Sequence, residues 1–99
     1  MLVHTVFFWM KKNAPRSAAK QTIQDALKYL KTSTVKQIWA GPPAKTPARD
    51  VINSTYDVGL TVTFDSVADH DAYQDDAQHQ VFIKRNKKNW LRVEVFDFQ

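Results

Sequence analysis

A chain of 99 residues, 43% hydrophobic and 24% charged, suits one folded domain over residues 1–99 and excludes both a disordered chain and two separate cores. With no cysteine it has no disulfide, no thiolate nucleophile and no zinc site built on sulfur, which fits the cytoplasm. The net charge of +4 divides into opposed blocks, nine Lys/Arg against Asp25 in residues 1–49 (+8), seven Asp and no Lys/Arg in 50–83 (−7), and five basic against two acidic groups in 84–99 (+3), where a nucleic-acid partner would call for one dominant basic face.

Leu2 to Met10, LVHTVFFWM, is rich in β-branched and aromatic residues and apolar on both alternating sets, which predicts a strand covered on both faces. No basic segment precedes it, so it does not read as a signal peptide. No stretch approaches the roughly 20 apolar residues of a membrane helix, and no membrane partner is expected. After turn signals from Asn13 to Ser17, the residues Ala19, Ile23, Ala26, Leu27 and Leu30 recur at helical spacing, with Lys20, Gln24, Lys28 and Lys31 on the opposite face. Val35 to Trp39 reads as a second strand ended by Gly41-Pro42-Pro43, and the polar stretch to Ser54 reads as a long loop. Tyr56 to Phe64 alternates as a third strand. Ser66 and Asp69 approximate a capping box that opens a short helix through Tyr73. Asp75-Asp76 breaks that helix, and a second piece follows from about Ala77, ending in the basic cluster Lys84, Arg85, Lys87 and Lys88. Trp90 to Phe98 supplies the last strand.

The order strand, helix, strand, strand, helix pair, strand predicts an α+β fold, a ferredoxin-like split βαβ protomer with a four-stranded antiparallel sheet. Its helices share one face of the sheet. The other face carries Val3, Phe7 and Trp9, and a second copy of the chain is the simplest cover for it, so a homodimer is expected. The opposed charge blocks further predict that the lysines of the first helix lie beside the aspartates of the second helical segment.

LVHTVFFWMK, YDVGLTVTFDS, DAYQDDAQHQVF and VEVFDF, in that order, together resemble the stress-responsive dimeric α/β-barrel family, over nearly the whole chain. The resemblance implies a sheet that pairs face to face with its twin to close a barrel. The family includes proteins without an established reaction and olivetolic acid cyclase, a cofactor-independent enzyme that uses a tyrosine and a histidine as acid–base groups. Matched to that enzyme, DAYQDDAQH places Tyr73 on the tyrosine and His79 on the histidine, and His4 falls on a histidine of its cavity. Val58 stands where the cyclase has a further cavity histidine, so the resemblance does not carry that particular reaction over.

Two readings of these residues remain open. In one, His79 and Tyr73 are an acid–base pair acting on a carbonyl compound, with His4 as orienting group, because a neutral imidazole can take a proton near neutral pH and a phenol can hydrogen-bond a developing oxyanion. In the other, they are packed structural residues of a protein that binds a small apolar ligand. Either way the three should line one pocket between helices and sheet, walled by Val58, Leu60, Val62, Val93 and Val95, with the Gly41 to Ser54 loop near its mouth or at the dimer seam. His70, between Asp69 and Asp71, reads as a solvated surface residue. Neither His4 with His79 nor Asp75 with Asp76 has the spacing of metal ligands, so no metal and no cofactor are expected.

Overall fold

β1 (Leu2–Met10) runs through the interior of the sheet, and its burial alternates although both of its side-chain sets are apolar. Leu2, His4, Val6 and Phe8 are buried, while Val3, Thr5, Phe7 and Trp9 on the other face are half-buried. The remaining elements are α1 (Ala18–Tyr29), β2 (Gln37–Gly41), β3 (Val58–Phe64), α2 (Val67–Asp75), α3 (Ala77–Asn86), one 3₁₀ turn (Lys87–Asn89) and β4 (Trp90–Phe98). This is a computed structural model and it describes residues 1–99. The sheet order is β2-β3-β1-β4 with every neighbouring pair antiparallel, the split βαβ topology of a ferredoxin-like protomer. No helix is long and apolar enough to cross a membrane.

The core lies between the helices and one face of the sheet, where Val6, Phe8, Val58, Leu60, Val62 and Phe64 meet Ala26, Leu30, Tyr73 and Phe82. α1 is rotated from the face its apolar residues predict. Thr22 and Asp25 are buried on it, while Leu27 is exposed. The reason is a polar network from α3 that Thr22 and Asp25 meet, with Gln21 beside them. Asp25 accepts from Arg85 Nε at 2.8 Å and from Asn86 Nδ2 at 3.0 Å, and Thr22 Oγ1 donates to Asn86 Oδ1 at 3.3 Å. The opposed charge blocks meet through Lys36 and Asp65, 3.1 Å apart, and not between the helices. The acidic residue of α1 pairs with a basic residue of α3, and Lys20, Lys28 and Lys31 form no ion pair with the aspartates of residues 69–76.

Two boundaries also move. β2 begins at Gln37 and includes Gly41, because Gly41 pairs with Gly59 across the ladder before the two prolines end the strand. Residues 55–57 lie outside β3, where Thr55 accepts from the Trp9 indole at 3.0 Å and Asp57 accepts from the Met10 amide at 2.7 Å. The long loop is thereby held to the end of β1. The outer face of the sheet keeps Trp39, Phe96 and Phe98 exposed at 53%, 54% and 62%, beside an aromatic cluster in which Phe7 meets Tyr56 and Phe96 at centroid distances of 4.6 and 6.1 Å.

Candidate functional site

The parity of β1 places His4 on the helix-facing side, and its cross-strand neighbour on β4 is Asp97. Nδ1 of His4 and Oδ1 of Asp97 lie 2.5 Å apart, a short charge-assisted hydrogen bond that fixes the imidazole against its strand. On the helical side, Ser66 opens α2 by accepting from the Asp69 amide at 3.1 Å. Asp76 then ends α2 in an extended conformation and opens α3 by accepting from the Gln78 amide at 2.8 Å. The Asp75-Asp76 break is thus a junction with a cap. It turns the chain so that His79, in the first turn of α3, comes back against Tyr73 in the last turns of α2, with ring centroids 4.7 Å apart and planes at 76°.

His4, Tyr73 and His79 line one cavity of about 140 Å³ between the helices and the sheet, and its other walls include Leu60, Gln74, Phe82, Ile83, Trp90, Val93 and Val95. Val58 and Val62, expected as lining, are instead sealed in the core. The Gly41 to Ser54 loop does not reach this mouth. Pro42, Ala44 and Asn53 border depressions on the outer face of the sheet, because the loop is tied there through Thr55 and Asp57. One of those depressions, about 200 Å³ among Phe7, Trp9, Tyr56 and Phe96, holds no imidazole and belongs to the uncovered apolar face.

Burial sets the protonation of the site. It pushes the Tyr73 phenol well above its usual range, with no hydrogen bond opposing it, so the hydroxyl keeps its proton at neutral pH. Burial likewise lowers His79, reinforced by the nearby His4 and only partly offset by Asp76. His4 is also lowered by burial, against the opposing pull of Asp97. Both imidazoles are neutral at pH 7. Nδ1 of His79 is buried with no hydrogen-bond partner in the protein, a condition that buried polar atoms rarely hold without a ligand or water to meet them.

His70 is a correction to the sequence reading. Its side chain is only 17% exposed, and its ring lies 4.9 Å from that of His4 and 5.6 Å from that of Phe64, centroid to centroid. The signal was its position three residues before Tyr73, which puts both on one side of α2. Asp97 was missed too. It shares the parity of Val93 and Val95, but only the β1–β4 register reveals that it faces His4.

The backbone matches solved structures along almost its full length. A dimeric ferredoxin-like protein of unknown function from Thermobifida fusca YX has a TM-score of 0.81 at 16% identity, covering 98% of this chain and 88% of that one. A Dabb family protein with a ferredoxin-like fold from Mesorhizobium loti MAFF303099 has a TM-score of 0.76 at 23% identity, covering 99% and 94%. Hydroxynitrile lyase from Passiflora edulis has a TM-score of 0.77 at 21% identity, covering 98% and 90%. No curated protein matches the sequence. The family described as Stress responsive A/B Barrel Domain matches residues 2–99, and with the fold and the ordered strand and helix segments in agreement, the chain belongs to that family.

Proposed function

We propose that two copies of the chain pair through the outer faces of their sheets, and that each copy binds a small, largely apolar carbonyl compound in the cavity behind α2 and α3. Pairing is supported by the exposed aromatic residues of that face and by the dimeric ferredoxin-like protein from Thermobifida fusca with the same fold. The observation that carries ligand binding is the buried, unpartnered Nδ1 of His79 beside a mainly apolar cavity, since few polar groups amid apolar walls are the usual makeup of a small-molecule site. A cavity of about 140 Å³ is of the order that admits a benzene-sized molecule, so a single ring or short chain fits without rearrangement. Cyclohexanone is a suitable probe. Titrating it should shift the methyl resonances of Ile83, Val93 and Val95 and raise the thermal midpoint. Unchanged methyl resonances at millimolar probe would refute the ligand site.

A second reading, acid–base catalysis on that carbonyl compound, is favoured by the placement of a neutral imidazole against a protonated phenol on the same cavity. In it, His79 removes a proton beside the carbonyl while the Tyr73 hydroxyl donates to the oxygen on which charge develops. His4, held by Asp97, orients the other side of the ligand. Exchange of the α-protons of cyclohexanone in D₂O reads this step alone. The rate should exceed that of buffer and fall about 10²-fold or more in His79→Ala, and a rate equal to buffer in the wild-type protein would remove the catalytic reading while leaving the binding one.

A further inference from the structure

Behind the His4 wall of the cavity, three side chains from three elements converge. His4 of β1, His70 of α2 and Asp97 of β4 each offer one ligand atom, and these atoms all lie within 4.8 Å of one another. We infer that His4, His70 and Asp97 form a site for a divalent transition ion of the Zn²⁺ type, open to solvent on the Asp97 side. The inference is independent of whether the cavity is catalytic.

The donor set decides the class of ion. Two imidazoles and one carboxylate with an open position suit Zn²⁺ and its first-row neighbours, whereas Mg²⁺ and Ca²⁺ favour oxygen shells. Tetrahedral bonds of about 2.0–2.2 Å place ligand atoms roughly 3.4 Å apart, so the His4–Asp97 contact must widen from 2.5 Å while the ligand atoms, now within 4.8 Å of one another, draw in by side-chain rotation. The lone pairs are also prepared. The Gln74 amide nitrogen, 3.4 Å from His70 Nε2, can only donate, so Nε2 holds a lone pair that the ion takes in place of this long hydrogen bond. The proton therefore sits on His70 Nδ1, which donates to Asp71 Oδ1 at 3.2 Å. A carboxylate on the far nitrogen of a histidine is the usual support for a metal ligand. On the other side, the ion takes the place of the proton between His4 Nδ1 and Asp97 Oδ1 across 2.5 Å, and the neutral His4 ring then carries its one proton on Nε2, so no net proton is released. Entry is open, since Asp97 and His70 border a surface depression of about 340 Å³ with Asp71 and Phe98, and the Asp97 side chain is 42% exposed.

The test uses the untagged 99-residue chain as it exists in solution, stripped with chelator and titrated calorimetrically with ZnCl₂. One Zn²⁺ should bind per chain, and His70→Gln and Asp97→Asn should each weaken binding about tenfold or more. His79→Gln, which removes the third histidine but no ligand, should bind as the wild type does. Both ligand positions are partly exposed, and circular dichroism verifies that the variants fold. Co²⁺ added to the wild-type protein supplies a readout that needs no variant, with paramagnetic shifts largest at the rings of His4 and His70. No binding by the wild type, unweakened binding by both ligand variants, or loss of binding with His79→Gln would each overturn the site.

Discussion

The His79 ring stands edge-on to Tyr73, 4.7 Å between centroids, across a helix junction one residue long. Asp76, the residue of that junction, is extended, and its carboxylate caps α3. The closeness of the two rings is thus set by a turn rather than by helical spacing. Asp76→Ala should lower stability by about 1 kcal/mol, the ordinary worth of an N-cap, while Asp76→Asn should retain most of it. Urea denaturation of the two variants checks this. A loss with Asp76→Asn as large as with Asp76→Ala would show that charge, not capping, is what the position supplies.

Stability should fall as the pH drops below about 6.5. The ordinary imidazole value is about 6.5, and His79 in the folded chain lies below it because burial disfavours the charged ring. Between those two values the unfolded chain binds the proton and the folded chain does not, so acid favours unfolding there. His4 acts in the same direction. Above about pH 6.5 both states are neutral and this contribution is constant. Urea midpoints measured from pH 7.5 to 5 with chelator present should decline, and His79→Gln should flatten part of the decline.

Asp25→Ala should destabilise more than Arg85→Ala, although the two form one ion pair. Removing Asp25 leaves the buried Asn86 amide without one of its acceptors, at a cost of about 1–3 kcal/mol. Removing Arg85 takes away a side chain that is 48% exposed, whose place water fills. Chemical denaturation of both variants at one pH decides the order, and equal losses would mean that the exposed pair itself is the important contact.

Phe96→Asp should convert the proposed sheet-to-sheet dimer to the 11.4 kDa chain. Phe96 is 54% exposed on the outer sheet face, so the substitution spares the core yet places a carboxylate where a second sheet would lie. Sedimentation at micromolar concentration measures the outcome. A dimer that persists unchanged would put the subunit contact elsewhere.

The fold was legible because β1 is a run of β-branched and aromatic residues, β3 alternates polar and apolar residues, and Ser66 and the Asp75-Asp76 break mark helix boundaries. His4 could be assigned to the helix side from strand parity alone. Asp25 could not be read as buried. A carboxylate on a basic helix looks solvated until Asn86, 61 positions later, is brought beside it. Asp97 was hidden for the same reason, since its meaning depends on strand register. His70 looked exposed because its neighbours Asp69 and Asp71 are polar, yet its ring turns inward against Phe64.

The bond between His4 and Asp97 joins positions 93 residues apart, and β1 pairs with β4 along nearly its full length. A ribosome-bound chain that has not yet released β4 therefore has neither the far wall of the cavity nor the partner of His4. Closing so long a loop is an entropic cost met before the contacts that reward it. The α2–α3 segment and the β1–β3 ladder are able to assemble during synthesis, while the site itself waits for β4.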